Sequence, residues 1–396
     1  MSGTPADSTL ISALNSPQYA LTYLALASLA YTDVQTPDPA PPQPDVATGI
    51  KNALEGPAGA TPLLPAIADY PGTFSLTWGP GYGTAASPTD YSNLAFVATY
   101  SQGGKPLFLV VSIRGTDVRD LIKAGIINQV WQDIDALNQV QWPAGSSANP
   151  LPYVAKGSHD GLFNKILQLV PIGDAVNVGT TLQTFLSSQI MSNVPIVVTG
   201  HSLGACQATM LATWMKSQSG CVAPIIPQPF APPTAGTQGF YNLYTTNFPG
   251  SIAWANPWDL VPYAFWNMDQ MKQLWGGESP GGQSYGGPPL DKSTFGLVVR
   301  GFVEHFDKAV KNGSVTPYVQ IPYAKLGPYT GSIGTPSMLS SFFANMKEPV
   351  PGDAWMAQLE WQHFPPCYYN LVSRAKGVNP YPIYPPGSEV VPPLLS

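Results

Sequence analysis

Gly200-His201-Ser202-Leu203-Gly204 carries the side chain best placed to act as a nucleophile. It follows the apolar, β-branched run Val194-Pro195-Ile196-Val197-Val198-Thr199 and opens a helical pattern over Ala205 to Lys216. A G-x-S-x-G sequence between a buried strand and a helix makes a turn sharp enough to hold the serine Oγ out at the strand's carboxyl end. The positions two before and two after the serine must then be glycine, because a Cβ at either would collide with backbone. The competing reading is a glycine-bounded strand–helix turn whose serine only caps the helix.

A serine hydroxyl attacks a carbonyl only when a base takes its proton, and a carboxylate must hold that base in the right tautomer. The elbow resembles that of the α/β-hydrolases, and the resemblance implies the chain order serine, acid, histidine, so both partners are sought after Ser202. There are four histidines. His201 lies inside the turn and is expected to point away from the nucleophile, and His159 lies upstream. His305, in Val303-Glu304-His305-Phe306-Asp307, falls within a helical pattern, where a histidine more often packs or faces water. His363, in Gln362-His363-Phe364-Pro365-Pro366, falls in a loop leading to a helix and is favoured as the base. The acid is read as Asp259, just past a strand expected to end at Ala255, which puts it on the same sheet edge as the elbow. A turn aspartate without chemical duty is the alternative there. The oxyanion of the tetrahedral intermediate needs two N–H donors. Leu203 supplies one, and Thr116, ending the run Val110-Val111-Ser112-Ile113-Arg114-Gly115-Thr116, is expected to supply the other.

The elements that must position these residues alternate. Thr73–Trp78 alternates like a strand, and 94–100 with 107–113 reads as a hairpin. Helical patterns follow at 117–141 and 158–191, then the elbow strand 194–199 and a helix at 203–218. Strands near 223–230 and 251–255, a helix near 297–312, a strand near 317–323 and a helix near 368–376 complete the set. The expected fold is α/β: a mostly parallel central sheet flanked by helices on both faces, opened by an antiparallel hairpin. Pro17 to Asp33 reads as an amphipathic helix, and Gln35 to Asp45, with five prolines, as a polyproline-like connector.

Composition excludes several classes. Net charge is −6 with 17 Lys+Arg and no basic cluster, which argues against a nucleic-acid partner. Only 10% of residues are charged, against about 25% in ordinary soluble domains, a balance suited to apolar substrates or to a loop-rich secreted enzyme. The three cysteines, Cys206, Cys221 and Cys367, are too scattered for a metal site or disulfide framework. Met1–Ser8 lacks the basic and apolar parts of a secretory leader, and the apolar run from Leu21 to Tyr31 is too short to span a bilayer. Cellular location is left open, with secretion slightly favoured.

Five motifs in order resemble the class 3 (fungal-type) lipases, a family of α/β-hydrolases. They are Ile-Arg-Gly-Thr at 113–116, Ser158-His159-Asp160-Gly161-Leu162-Phe163, Val198-Thr199 with the elbow, Phe230-Ala231-Pro232-Pro233-Thr234-Ala235-Gly236, and Asp259-Leu260-Val261-Pro262. The resemblance runs over about 94–263 and again at 363–372. It implies one α/β-hydrolase domain over 1–396, with an N-terminal helix and Pro-rich connector in 1–72 and insertions at 266–296 and 323–362. It also implies cleavage of carboxylic esters without cofactor or metal, with Ser202 as nucleophile, Asp259 as acid, His363 as base, and Thr116 with Leu203 as oxyanion donors. His159 matches a histidine the family keeps as a scaffold hydrogen-bonder. Departures are Ala205 in place of a second glycine, a longer stretch between Thr116 and Asp133, and the wide separation of Asp259 from His363.

The leading expectation is therefore a lipase acting on acylglycerols through an acyl-enzyme. A phospholipase A1, a soluble or aryl esterase, and a non-catalytic lipid-binding module are the alternatives. Ile122, Ile126, Val130, Ile134 and Leu137 recur at helical spacing and read either as a core-packing stripe or as a lid lifting at a lipid–water interface. Trp258, Tyr263, Phe265 and Trp266 read as packing residues or as acyl-pocket lining.

Overall fold

A computed structural model describes residues 7–31, 44–57, 62, 64, 70–84, 93–115, 135–145, 148–257, 259–273 and 294–326, together with 362, 363, 365, 368, 371 and 372. Its strands are β1 (Thr73–Thr84), β2 (Leu94–Gln102), β3 (Lys105–Ile113), β4 (Gln139–Gln141), β5 (Tyr153–Ala155), β6 (Leu169–Val176), β7 (Ile196–His201), β8 (Ile225–Phe230), β9 (Ala253–Ala255) and β10 (Tyr323–Lys325). Eight of them form one sheet in the order β10-β9-β8-β7-β3-β2-β1-β6, and β4 pairs with β5. From β3 to β10 the neighbours run parallel; from β3 to β6 they run antiparallel. The fold is the expected α/β sheet, with helices on its faces.

Alternation within the strands separates two cores. Leu109, Val111, Ile113, Ile196 and Val198 join the cluster that includes Cys206, Met210, Leu211 and Trp214 of the elbow helix. Val110 and Val197, between them in sequence, join the opposite cluster with Leu21, Leu24 and Leu26. A period of two sends successive side chains to opposite faces, so a strand covered on both sides reads as an unbroken apolar run. A third cluster, built from 260–271 and 303–318, holds Tyr263 and Phe265 as packing residues against Val303, Phe306 and Tyr318.

Several expectations needed correction. The helical pattern over 158–191 is broken into the short helix Lys156–Asp160, a π turn at Gly161–Lys165, a 3-10 turn at Ile166–Gln168, strand β6 and the helix Leu182–Gln189. Pro171 and Gly173 interrupt helical hydrogen bonding there, and β6 lies at the edge of the sheet, where proline is tolerated. The C-terminal end of the 117–141 pattern is strand β4, not helix, while 116–134, and with it Thr116 and most of the lid reading, lies outside the described residues. The strand expected near 317–323 is a single bridge at Tyr318 followed by β10. Most of the 35–45 connector, the 323–362 insertion apart from 323–326 and Gln362, the greater part of 266–296, and Trp258 also fall outside.

The amphipathic helix expected over 17–33 is a 3-10 turn and then the helix Ala20–Leu29, and all ten residues of that helix are buried. Both of its sides are covered, so no polar face survives to mark it. Polar side chains of the sheet reach its carbonyls instead: Ser112 Oγ donates to the Leu26 oxygen at 2.9 Å, and Thr199 Oγ1 to the Tyr23 oxygen at 3.4 Å. Tyr368, Leu371 and Val372 share the same cluster.

β8 explains why β9 is short. Pro227 and Pro229 pair with Val198 and Gly200 of β7 but carry no N–H. In a parallel strand their nitrogens face the same side as that of Ala231, which donates to the Trp254 oxygen at 2.8 Å. β8 therefore offers β9 little until Phe230, the one register pair between them, and β9 departs at Ala255 towards Asp259.

Candidate active site

Ser202 joins β7 to the helix Leu203–Ser217 with φ 61° and ψ −133°, a left-handed conformation that costs a non-glycine residue about 1–3 kcal/mol. Its surroundings hold it there. The Ser202 N–H donates to the Phe230 carbonyl at 3.0 Å, while its own carbonyl accepts from Ala205 at 2.9 Å. A Cβ on Gly200 would fall 2.8 Å from the Ile113 carbonyl, and one on Gly204 would fall 2.7 Å from the Gly115 nitrogen. Neither neighbour can yield, since both are backbone, at the end of β3 and just past it. The serine side chain makes no capping bond to the helix, which removes the reading of Ser202 as a cap.

The histidine favoured from sequence meets the serine. His363 Nε2 lies 2.7 Å from Ser202 Oγ, and His363 Nδ1 lies 2.8 Å from Asp259 Oδ2. Asp259 is fully buried and His363 5% exposed. Asp259 is otherwise fixed by two donors: the Tyr368 hydroxyl gives to Oδ2 at 2.7 Å and the Val261 N–H gives to Oδ1 at 2.9 Å. With three donors converging on it, the carboxylate can only accept, so His363 Nδ1 carries a proton and Nε2 is the free lone pair facing the serine. His305 sits exposed on the helix Thr294–Lys311, away from this constellation.

Gln362 and His363 have helical backbone, so the histidine is carried by helix and not by the loop expected. Pro366, four residues past Gln362, has no N–H to give the Gln362 carbonyl. Asn256, fully buried, fills that gap: its Nδ2 donates to the Gln362 carbonyl at 3.0 Å and to Gln362 Oε1 at 2.8 Å. The Asn256 N–H donates to the Tyr368 oxygen at 2.9 Å. One asparagine thus ties the end of β9 to the segment bearing the histidine. Sequence reading passed over Asn256, Gln362 and the contact made by Tyr368. The available signal was Asn256 itself, three residues before Asp259 in a segment otherwise apolar.

Leu203 opens the helix, where its N–H is among those no helical carbonyl reaches. The positive end of the helix lies at this N–H. His159 is clear of the serine; its Nδ1 lies 3.2 Å from Asp160 and its ring packs on Phe163. Ser158 next to it accepts through its carbonyl from Gln207 of the elbow helix at 3.0 Å. Burial pushes the Cys206 thiol up to about 12, as befits an inert packing residue. Among the described residues no three His, Cys, Asp or Glu are grouped to hold a metal ion.

Residues 110–267 match the sequence profile of the lipase (class 3) family. Over that segment the chain is similar to the class 3 lipases. The match takes in the end of β3, the elbow, β8 and Asp259, while His363 lies beyond it. Among solved structures, M37 lipase superposes with a TM-score of 0.63 at 20% identity, over 92% of this chain and 94% of that one, and shows the shared fold. The lipase of Rhizopus microsporus var. chinensis gives a TM-score of 0.38 at 15% identity, over 66% of this chain and 70% of its own. The Yarrowia lipolytica LIP2 lipase gives 0.40 at 16% identity, over 62% and 73%. No curated protein matches the sequence.

Proposed function

We propose that this chain hydrolyses carboxylic esters, acylglycerols among them, through an acyl-enzyme on Ser202. The observation that carries the reading is the unbroken hydrogen-bond line from Asp259 through His363 to Ser202, set on a strained elbow. Ser202 Oγ attacks the ester carbonyl as its proton passes to His363 Nε2, and Asp259 stabilises the imidazolium that forms. The N–H of Leu203 receives the developing oxyanion, with the N–H of Thr116 as the second donor. His363 then returns the proton to the leaving alcohol. Water, deprotonated by the same nitrogen, attacks the acyl-enzyme and releases the acid.

The family match and the scarcity of charge support a lipid ester as substrate; interfacial contact is part of the same proposal. A fluorophosphonate probe labels the native protein and fails on Ser202→Ala. Hydrolysis of p-nitrophenyl butyrate and of emulsified tributyrin is lost in the same variant. An unlabelled protein that still binds lipid vesicles would be a lipid-binding module instead.

A further inference from the structure

His201 is the elbow residue that sequence reading dismissed, and its ring is 1% exposed. Its Nε2 lies 2.6 Å from the carbonyl oxygen of His363. A carbonyl only accepts, so Nε2 carries the proton. Burial first, and the neighbouring His363 second, hold the ring's pKa well below the ordinary histidine value, so it is neutral and Nδ1 keeps its lone pair. The Tyr31 hydroxyl lies 3.3 Å from that Nδ1 and 3.3 Å from the His201 carbonyl. The phenol oxygen in turn accepts the Gly115 N–H at 3.0 Å. Every donor therefore points one way: Gly115 N–H to Tyr31, Tyr31 O–H to His201, His201 N–H to His363.

We propose that Tyr31 is a positioning residue for the reaction, setting the backbone of His363 through His201 while tying the carboxyl ends of β3 and β7 together. The proposal rests on the triad reading above. His363 meets Ser202 and Asp259 at opposite ring nitrogens, so a shift of its backbone lengthens one bond or the other. A misplacement of about 1 Å can cost about 10²-fold in rate. The His363 carbonyl is the one backbone group of that residue held by the elbow, and His201 holds it. His201 can rotate about its own side-chain bonds unless its far nitrogen is held, and the Tyr31 hydroxyl, 3.3 Å from that nitrogen and equally from the His201 carbonyl, is the group placed to hold it. Tyr31 suits this duty because it follows directly on the helix Ala20–Leu29, whose ten buried residues make a rigid mount. The fit at its tip is close: a Cβ on Gly115 would fall within 3.0 Å of both the phenol oxygen and the His201 carbonyl.

Tyr31→Phe removes one oxygen and leaves the ring packed. With rates counted per fluorophosphonate-titrated site, kcat for p-nitrophenyl butyrate falls about tenfold while KM stays within about two-fold. In a His201→Leu background the same substitution changes kcat by less than about two-fold, since the line it feeds is already cut. A Tyr31→Phe kcat within two-fold of the wild type, a KM effect alone, or losses that simply multiply in the double variant would each overturn the proposal. Should Tyr31→Phe yield no folded protein, His201→Gln against His201→Leu decides. Glutamine keeps an N–H for the His363 carbonyl and an oxygen for the Tyr31 hydroxyl, so it exceeds leucine in kcat by about tenfold, and equality would refute the line. A wild-type protein without Ser202-dependent hydrolysis would instead sink the triad reading, an outcome these variants do not imitate.

Discussion

Asp259→Asn changes one atom and inverts the hydrogen-bond polarity of the site. The carboxylate accepts from His363 Nδ1 and Tyr368 through Oδ2 and from the Val261 N–H through Oδ1. An asparagine must place its NH2 on one of these sides. On the Val261 side it meets a backbone N–H that cannot reverse. On the other side the Tyr368 hydroxyl can turn to accept, and the imidazole then moves its proton from Nδ1 to Nε2. That tautomer points N–H at Ser202 Oγ, and the base is gone. Loss of the correct tautomer with geometry intact lowers kcat by about 10⁴, equivalent to about 5 kcal/mol of transition-state stabilisation. Substrate binding does not use this proton, so KM changes little. The assay is p-nitrophenyl butyrate hydrolysis at pH 8, per mole of protein shown folded by circular dichroism. An Asp259→Asn protein retaining more than a tenth of wild-type kcat would refute the assignment of the proton to Nδ1.

His363→Ala lowers kcat by about 10³ or more, whereas His305→Ala, on an exposed helix face, leaves it within about two-fold; reversal of that order in parallel assays would remove His363 from the site. His201 links pH to stability. Its folded pKa lies well below the value of about 6.5 in the unfolded chain, so the contribution is complete above pH 6.5 and declines as the unfolded state takes up a proton below it. Between pH 7 and pH 5 the wild type therefore loses more stability than His201→Asn, measured by urea unfolding; equal losses would refute a neutral buried ring.

Most of the sheet was legible because its strands are apolar, β-branched runs ended by glycine or proline, and the elbow because two glycines bracket a serine between strand and helix. Where sequence reading failed, tertiary context had overridden a local signal. The helix Ala20–Leu29 has no polar face because the sheet and the chain's later residues enclose it, so periodicity could not tell it from an amphipathic one. β6 was hidden by helical spacing on either side, although Pro171 and Gly173 marked the break. Ser202, Asp259 and His363, named from order and edge placement, lie within hydrogen-bonding distance in one line. Their supports were not legible, since Tyr31, His201, Asn256 and Tyr368 touch residues between 100 and 200 positions away or, for His201, were judged by direction alone. Nothing in local pattern encodes a partner at that separation.

The buried helix Ala20–Leu29 and Tyr368, Leu371 and Val372 occupy the same cluster. During synthesis the first must wait for the last. Until Tyr368, Leu371 and Val372 have left the ribosome, the part of the helix surface they cover stays open and Asp259 lacks the Tyr368 hydroxyl. Ser202 and Asp259 are thus made before the histidine that links them, and a chain stopped short of residue 363 exposes apolar surface without the hydrogen-bond line from Asp259 to Ser202.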